Sequence, residues 1–318
     1  MHNHRLDEQA AGVYVIAATP FGADGALDYD SADRLVEFYL QEGVHGMTVL
    51  GVMGEAPKLS DTEQTQFMNY MLNRVDGRVP VIVGVSNPGV DNLVLLAQRA
   101  MEGGAAGVMV AGIAGLKTDE QAYAYFSAVI DRLGPQIPVC LQDYPPTTTV
   151  HLSIGVIQKM IDNFPSLVMF KHEDCPGMRK LTTLRRAPDR GHRRVSILTG
   201  NGGLYVPQEL ARGADGVMTG FAFPGMLVEV YERFKAGDNA AAEDLYDLYL
   251  PMIRHEQQLG AGLAIRKEVF RARGILSTGA VRQPGPSLDN DDRAELDHLI
   301  SRLKSKLDLA GVDMPSGL

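Results

Sequence analysis

The chain has 318 residues, 45% hydrophobic and 22% charged, with a formal net charge of −9. It can bury a substantial core, and its acidic balance argues against nucleic acid or an anionic membrane as a partner, since both reward basic patches. No apolar run approaches the roughly 20 residues of a membrane span, and Met1–Glu8 lacks the apolar core of a signal peptide.

Two cysteines, Cys140 and Cys175, make no disulfide framework, so a cytoplasmic home is expected. His2 and His4 read as a frayed terminus rather than a metal site. Short apolar runs then recur at Val13–Ala18, Gly46–Leu50, Val79–Gly84, Gly107–Ala111, Ile137–Leu141, Leu167–Lys171, Val195–Thr199 and Gly216–Thr219. Helical stretches alternate with them. Ser31–Glu42 puts Leu35, Phe38 and Tyr39 on one face, and Asp61–Val75 does the same with Phe67, Met68, Met71 and Leu72. Ser60 ahead of Glu63 predicts an N-cap with a capping box. Buried strands alternating with helices imply a parallel sheet, and eight such units imply a closed barrel, the TIM (β/α)8 barrel of the α/β class. An open doubly wound sheet is the competitor, but no GxGxxG follows the first strand. After the eighth unit the pattern changes: 240–258, 263–273 and 291–309 read as helices with no strand between them. The expected organisation is therefore a barrel over residues 1–236 and a helical C-terminal domain over 237–318.

Function in such a barrel belongs at the C-terminal ends of the strands. Those ends carry Gly51-Val52-Met53-Gly54-Glu55, then Gln142-Asp143-Tyr144-Pro145-Pro146, then Lys171-His172-Glu173-Asp174, Gly200-Asn201-Gly202-Gly203 and Gly220-Phe221-Ala222. The run ending on Lys171 is the most informative. A lysine closing a buried strand either snorkels to water or is kept for use, because burying an ammonium is costly. A neutral lysine attacks ketones to form a Schiff base. Strand alternation points Glu173 the same way as Lys171 and turns His172 aside, toward packing or the surface. Glycines around Val52 and Met53 leave backbone N–H groups free for a carboxylate. Gln142, Asn201, Thr219 and Gly220 are candidate substrate contacts, and Tyr144 a second acid/base candidate. A structural amide or a tight turn is the plainer reading for Gln142 and Gly220. No metal-ligand spacing is evident.

In this order and spacing, these residues resemble the dihydrodipicolinate synthase / N-acetylneuraminate lyase superfamily. Ala18-Thr19-Pro20-Phe21, Gly51–Glu55 at the Gly-x-x-Gly-Glu motif, Lys171 at the Schiff-base lysine, Gly213-Ala214-Asp215-Gly216, Lys267 and Val281-Arg282-Gln283-Pro284 carry the resemblance. It implies class I lyase chemistry on pyruvate or another 2-keto acid, without cofactor or metal, in a homo-oligomer, usually a tetramer. The departures are specific. Val52 and Met53 replace hydroxyl residues, Gln142 replaces a tyrosine, Thr147 stands where the synthase has an arginine, and Ile113-Ala114 lack the relay tyrosine. Gln142-Asp143-Tyr144-Pro145, Lys171-x-Glu173 and His255-Glu256-Gln257-Gln258 are more similar to dehydratases of 2-keto-3-deoxy sugar acids. The resemblance therefore implies dehydration or retro-aldol cleavage of such an acid. A pyruvate aldolase and a non-catalytic 2-keto-acid-binding protein are the alternatives.

Overall fold

The computed structural model describes residues 4–318, so His2 lies outside the described residues. Eight parallel strands close on themselves in sequence order: β1 Gly12–Ile16, β2 Gly46–Val49, β3 Val81–Gly84, β4 Gly107–Ala111, β5 Val139–Asp143, β6 Leu167–His172, β7 Ser196–Thr199 and β8 Gly216–Thr219. The (β/α)8 barrel read from the sequence is thus the observed fold. β5 and β6 run one or two residues further than the apolar pattern indicated, so Gln142 and His172 are strand residues.

Helices α1 Tyr29–Gln41, α2 Asp61–Val75, α3 Val90–Glu102 and α4 Asp119–Leu133 follow the first four strands. A single turn, α5 Pro145–Thr148, then precedes α6 Ile154–Asn163; α7 Met178–Arg185, α8 Val206–Ala211 and α9 Pro224–Lys235 complete the ring. Ser60 caps α2 as expected: its hydroxyl accepts from Glu63 N and Glu63 returns the bond to Ser60 N, which satisfies two otherwise orphaned donors. Thr118 and Gln121 repeat the device on α4. Beyond the barrel come α10 Asn239–Glu256, α11 Gly262–Ala272 and α12 Asn290–Ala310. None of the described helices is long and apolar enough to cross a membrane.

The core has two parts. Val13, Val15, Val81, Val83, Val108, Val110, Leu141 and Ile197 face the helices, while Tyr14, Ile16, Ile82, Met109, Cys140, Met169, Leu198 and Met218 form a separate cluster that fills the barrel interior. Strand β6 breaks this alternation once. Val139 pairs with Leu167 but Cys140 pairs with Met169, so Val168 is an extra residue in the ladder. Leu167 belongs to the outer cluster, Val168 and Met169 both to the inner one, and Phe170 to the outer one again. This β-bulge reverses the parity of everything that follows it. Lys171 consequently points into the barrel and His172 away from it.

Helix α11 is fastened to the barrel by a buried charge. Lys267 is fully buried; its ammonium donates to Glu55 Oε1 at 2.5 Å, Thr19 O at 2.8 Å and Ala280 O at 2.9 Å. Glu55 also accepts from Lys58 Nζ at 2.9 Å and from Arg282 N at 3.0 Å. One ammonium thus joins the loop after β1, the loop after β2, and the segment that follows α11. Removing one partner of a buried pair strands the other charge, at a cost of about 3 kcal/mol or more. Lys267→Met is expected to lower unfolding stability by about that amount in urea titrations, with Glu55→Gln/Lys267→Met recovering most of it. A single-variant loss below about 1 kcal/mol would show that the pair is not the fastener described.

Candidate active site at the C-terminal mouth of the barrel

Every site residue singled out in the sequence reaches one cavity. Val52, Met53, Gln142, Tyr144, Lys171, Glu173, Asn201, Thr219 and Gly220 all line it, at the C-terminal mouth of the barrel. The cavity holds about 210 Å³, below the roughly 300 Å³ of a site for drug-sized ligands, which suits a small acid.

At its floor the Lys171 ammonium is paired with Glu173 Oε1, and both side chains are almost wholly withdrawn from solvent. Gln142 Nε2 donates to the same carboxylate oxygen at 3.2 Å. The register explains the meeting: Gln142 lies opposite Lys171 in the β5–β6 ladder, and Glu173 is two residues on, with its N–H bonded to Asp143 O. Glycine at position 200 makes room, since a Cβ there would lie 2.4 Å from Glu173 Cγ. Burial rules out the solvated-surface reading of Glu173. Tyr144, on the turn into α5, closes one side. Burial and the nearby Glu173 carboxylate push its phenol above the ordinary value, so it is protonated at neutral pH.

The loop after β2 is held under strain. Leu50 and Glu55 adopt left-handed backbone angles, φ 55° and 53°, as does Asn201 at the end of β7, φ 52°. Such angles persist only where the surroundings over-determine them, and Glu55 is pinned by Lys267. Among the described residues, neither Val52 N nor Met53 N donates to a backbone carbonyl, which leaves both N–H groups available at the cavity.

The C-terminal helices supply residues that the sequence did not assign to the site. Glu256, Gln257, Gln258, Leu259, Leu263 and Arg266 line the same cavity and roof it. The stretch His255–Gln258 had drawn notice only as a motif. Arg266 had a detectable signal: with Lys267 and Glu268 it forms a charged triplet between the apolar residues Leu263–Ile265 and Val269–Phe270.

On the outer face of the same strands lies a second buried polar layer. His172 is buried, stacks on Phe170 and has Nε2 2.9 Å from Gly177 O, so it is a packing residue and not a surface one. Lys180 donates to Asp143 Oδ2 at 2.8 Å and Leu152 O at 2.8 Å, and pairs with Asp174 at 2.6 Å. Burial pushes Asp143 up to about 6 against the pull of Lys180, and pushes His172 down to about 4.

A buried lysine paired with a carboxylate, set at the mouth of a closed parallel barrel, has the make-up of a (β/α)8 enzyme site. Residues 9–303 match the dihydrodipicolinate synthetase family, and the chain belongs to it. It is thereby a Schiff-base lyase. L-2-keto-3-deoxyarabonate dehydratase of Azospirillum brasilense is 29% identical over 303 residues, covering 92% of this chain and 94% of that protein. 4-Hydroxy-tetrahydrodipicolinate synthase of Sorangium cellulosum is 30% identical over 299 residues, 93% of this chain and 97% of that protein. Among solved structures, dihydrodipicolinate synthase from Rhodopseudomonas palustris superposes with a TM-score of 0.91 at 47% identity, covering 94% of this chain and 99% of that one. YagE from Escherichia coli K12, a prophage protein of this family solved in complex with pyruvate, superposes at 0.84 and 25% identity over 92% and 98%.

The outer layer yields a pH dependence of stability. The depressed His172 refuses a proton that the unfolded chain accepts, so its contribution is full above about pH 6.5 and is lost as pH falls toward 4. Asp143 works in the opposite direction, favouring the fold as pH falls below about 6. The destabilisation caused by His172→Gln is therefore expected to shrink by about 3 kcal/mol between pH 7 and pH 4 in urea titrations. A penalty independent of pH would mean that His172 titrates normally.

Proposed function

We propose that the chain is a 2-keto-3-deoxy sugar acid dehydratase that works through an imine on Lys171. The observation that carries this reading is the contact of Glu173 with both Lys171 Nζ and Gln142. Glu173 takes a proton from the ammonium, and the neutral amine attacks the C2 ketone of the substrate. The carbonyl oxygen leaves as water and the C2–N bond becomes an iminium. The substrate's C1 carboxylate lies on the Val52 and Met53 N–H groups, an arrangement that needs no polar side chain at either position.

The position of Glu173 favours dehydration over retro-aldol cleavage. In the iminium, C3 is two bonds from Nζ, so a carboxylate resting on Nζ is within reach of a C3 proton. Removing that proton sends its electron pair into the C2–C3 bond and gives an enamine. The enamine pushes out the C4 hydroxyl, which leaves as water with a proton from Tyr144 or from protonated Glu173. Hydrolysis of the unsaturated iminium returns Lys171 and frees an unsaturated 2-keto acid, whose tautomer is a 2,5-dioxo acid where C5 bears a hydroxyl. Retro-aldol cleavage would instead need its base at the C4 hydroxyl. Gln142, Asn201, Thr219 and Gly220 line the path of the sugar chain. The 2-keto-3-deoxy acid named for the Azospirillum relative is of this class. Thr147, in place of a cation beside Tyr144, itself supplies no charge for a second carboxylate.

Borohydride reduction in the presence of pyruvate or a 2-keto-3-deoxy sugar acid is expected to leave a stable adduct on Lys171, located by peptide mass spectrometry. Product analysis is expected to show a 2-keto acid of unchanged carbon number; release of pyruvate and an aldehyde would reverse the assignment to an aldolase. Glu173→Gln should reduce turnover by about 10²–10⁴-fold. Unimpaired turnover in that variant would remove Glu173 from the acid/base role.

A further inference from the structure

The roof of the cavity carries a charged group that imine chemistry leaves unused. Arg266, in the second turn of α11, is 3% exposed and lines the same cavity as Lys171. Its Nε donates to Glu256 Oε2 at 2.9 Å, and the Glu256 carboxylate also accepts from Ala222 N at 3.3 Å. Its Nη1 is buried and has no hydrogen-bond partner. An N–H left unmatched in a buried site is costly, and such groups stand out in folded proteins. Gly220, at the end of β8, is what admits it: a Cβ there would lie 2.3 Å from Nη1. The chain has thus been cleared of a side chain at the point where the guanidinium reaches the mouth of the barrel.

We infer that Arg266, braced by Glu256, is the specificity-determining residue for the far end of the substrate, where Nη1 donates to an uncharged oxygen, a hydroxyl or carbonyl, at or beyond C5 of the acid held on Lys171. The inference rests on the imine reading above and adds the chemistry of the tail. Charge decides its nature. Lys171 and Arg266 are balanced by Glu173 and Glu256, both of them buried, and the substrate's own C1 carboxylate already adds one negative charge. A second carboxylate at the tail would bring another with no cation left to meet it, in a setting where little water screens it. A hydroxyl adds no charge and gives Nη1 its acceptor. The neighbouring lining agrees: Asn201, Thr219, Gln257 and Gln258 are uncharged and offer both donors and acceptors, as a polyol requires. An apolar tail would leave Nη1 unpaired, and sites built around a hydrogen bond reject analogues that lack it more strongly than they reject a change of one methylene.

The test uses the whole protein and three 2-keto acids of one carbon length: 5-hydroxy-2-oxopentanoate, 2-oxopentanoate and 2-oxoglutarate. Each competes with pyruvate in borohydride trapping on Lys171, so the pyruvate adduct is itself the check on the imine reading. If pyruvate leaves no adduct on the wild type, that reading fails first and for its own reason. With the adduct present, the hydroxyl-ended acid is expected to compete at least ~10-fold better than the methyl- and carboxylate-ended acids. Equal competition, or preference for either of the others, overturns the inference. Replacing the pair together, Glu256→Gln/Arg266→Gln, avoids stranding one buried charge. It should shrink the hydroxyl preference to within ~3-fold; a preference that survives the replacement gives the role to another residue. If the double variant does not fold, the wild-type series alone decides.

Discussion

The buried ammonium of Lys267 is the point on which the mouth of this barrel depends. It gathers Glu55, Thr19 O and Ala280 O, which belong to three segments far apart in the chain. By fixing Glu55 it holds the Gly51–Glu55 loop in a backbone conformation that would otherwise relax, and with it the Val52 and Met53 N–H groups. By fixing its own helix it also sets which residues of α11 look into the cavity, Arg266 among them. A buried ion pair is weak evidence of net stabilisation against a well-packed apolar pair. Its worth here lies in placement. A helix held only by apolar contacts can slide or rotate at little cost, while one whose lysine must meet three fixed oxygens cannot.

Strands β5 and β6 separate two sets of buried polar groups, one facing the cavity and one facing the helices. Gln142 and Lys171 face inward, Asp143 and His172 outward, as the alternation beyond the bulge in β6 requires. Inside, the Lys171 ammonium and the Glu173 carboxylate are paired at the cavity, with Gln142 on the same carboxylate oxygen. Outside, Lys180 ties Asp143, Asp174 and Leu152 O beneath them, so the strand ends that carry the chemistry are stiffened from behind. Such support helps a lysine on a strand and a glutamate on the first residue beyond it to hold their relation.

Much of this was legible in the sequence, and for an identifiable reason. A (β/α)8 barrel places its chemistry at strand ends, so recognising eight apolar runs locates the site residues without any knowledge of packing. Gln142, Tyr144, Lys171, Glu173 and Asn201 all follow from that rule. What escaped it came from non-local geometry. The single turn of α5 is too short for helical periodicity to register. Arg266 and Glu256 reach the site from helices that the strand-end rule does not cover, and their burial depends on a fold-back over the barrel that local pattern does not encode. His172, read as packing or surface, is buried because α7 and the turn at Gly177 cover it. The acid roles remain a matter of geometry plus chemistry, since no spacing in the chain distinguishes a base that serves C3 from one that serves the C4 hydroxyl.

The bulge at Val168 has a consequence for what this chain can tolerate. Leu167 to Phe170 is uniformly apolar, so any residue there can be exchanged for a similar one at the ordinary expense of repacking. Their number is a different matter. With one residue fewer, the bulge closes and the ladder runs without interruption: Leu167 still faces the helices, Met169 the interior, and Lys171 still points into the barrel. Lys171 would still lie opposite Gln142. At this place the trait exposed to selection is a count with slack on one side: the loss of three nucleotides is absorbed by the bulge, while the gain of three would turn Lys171 toward the helix layer.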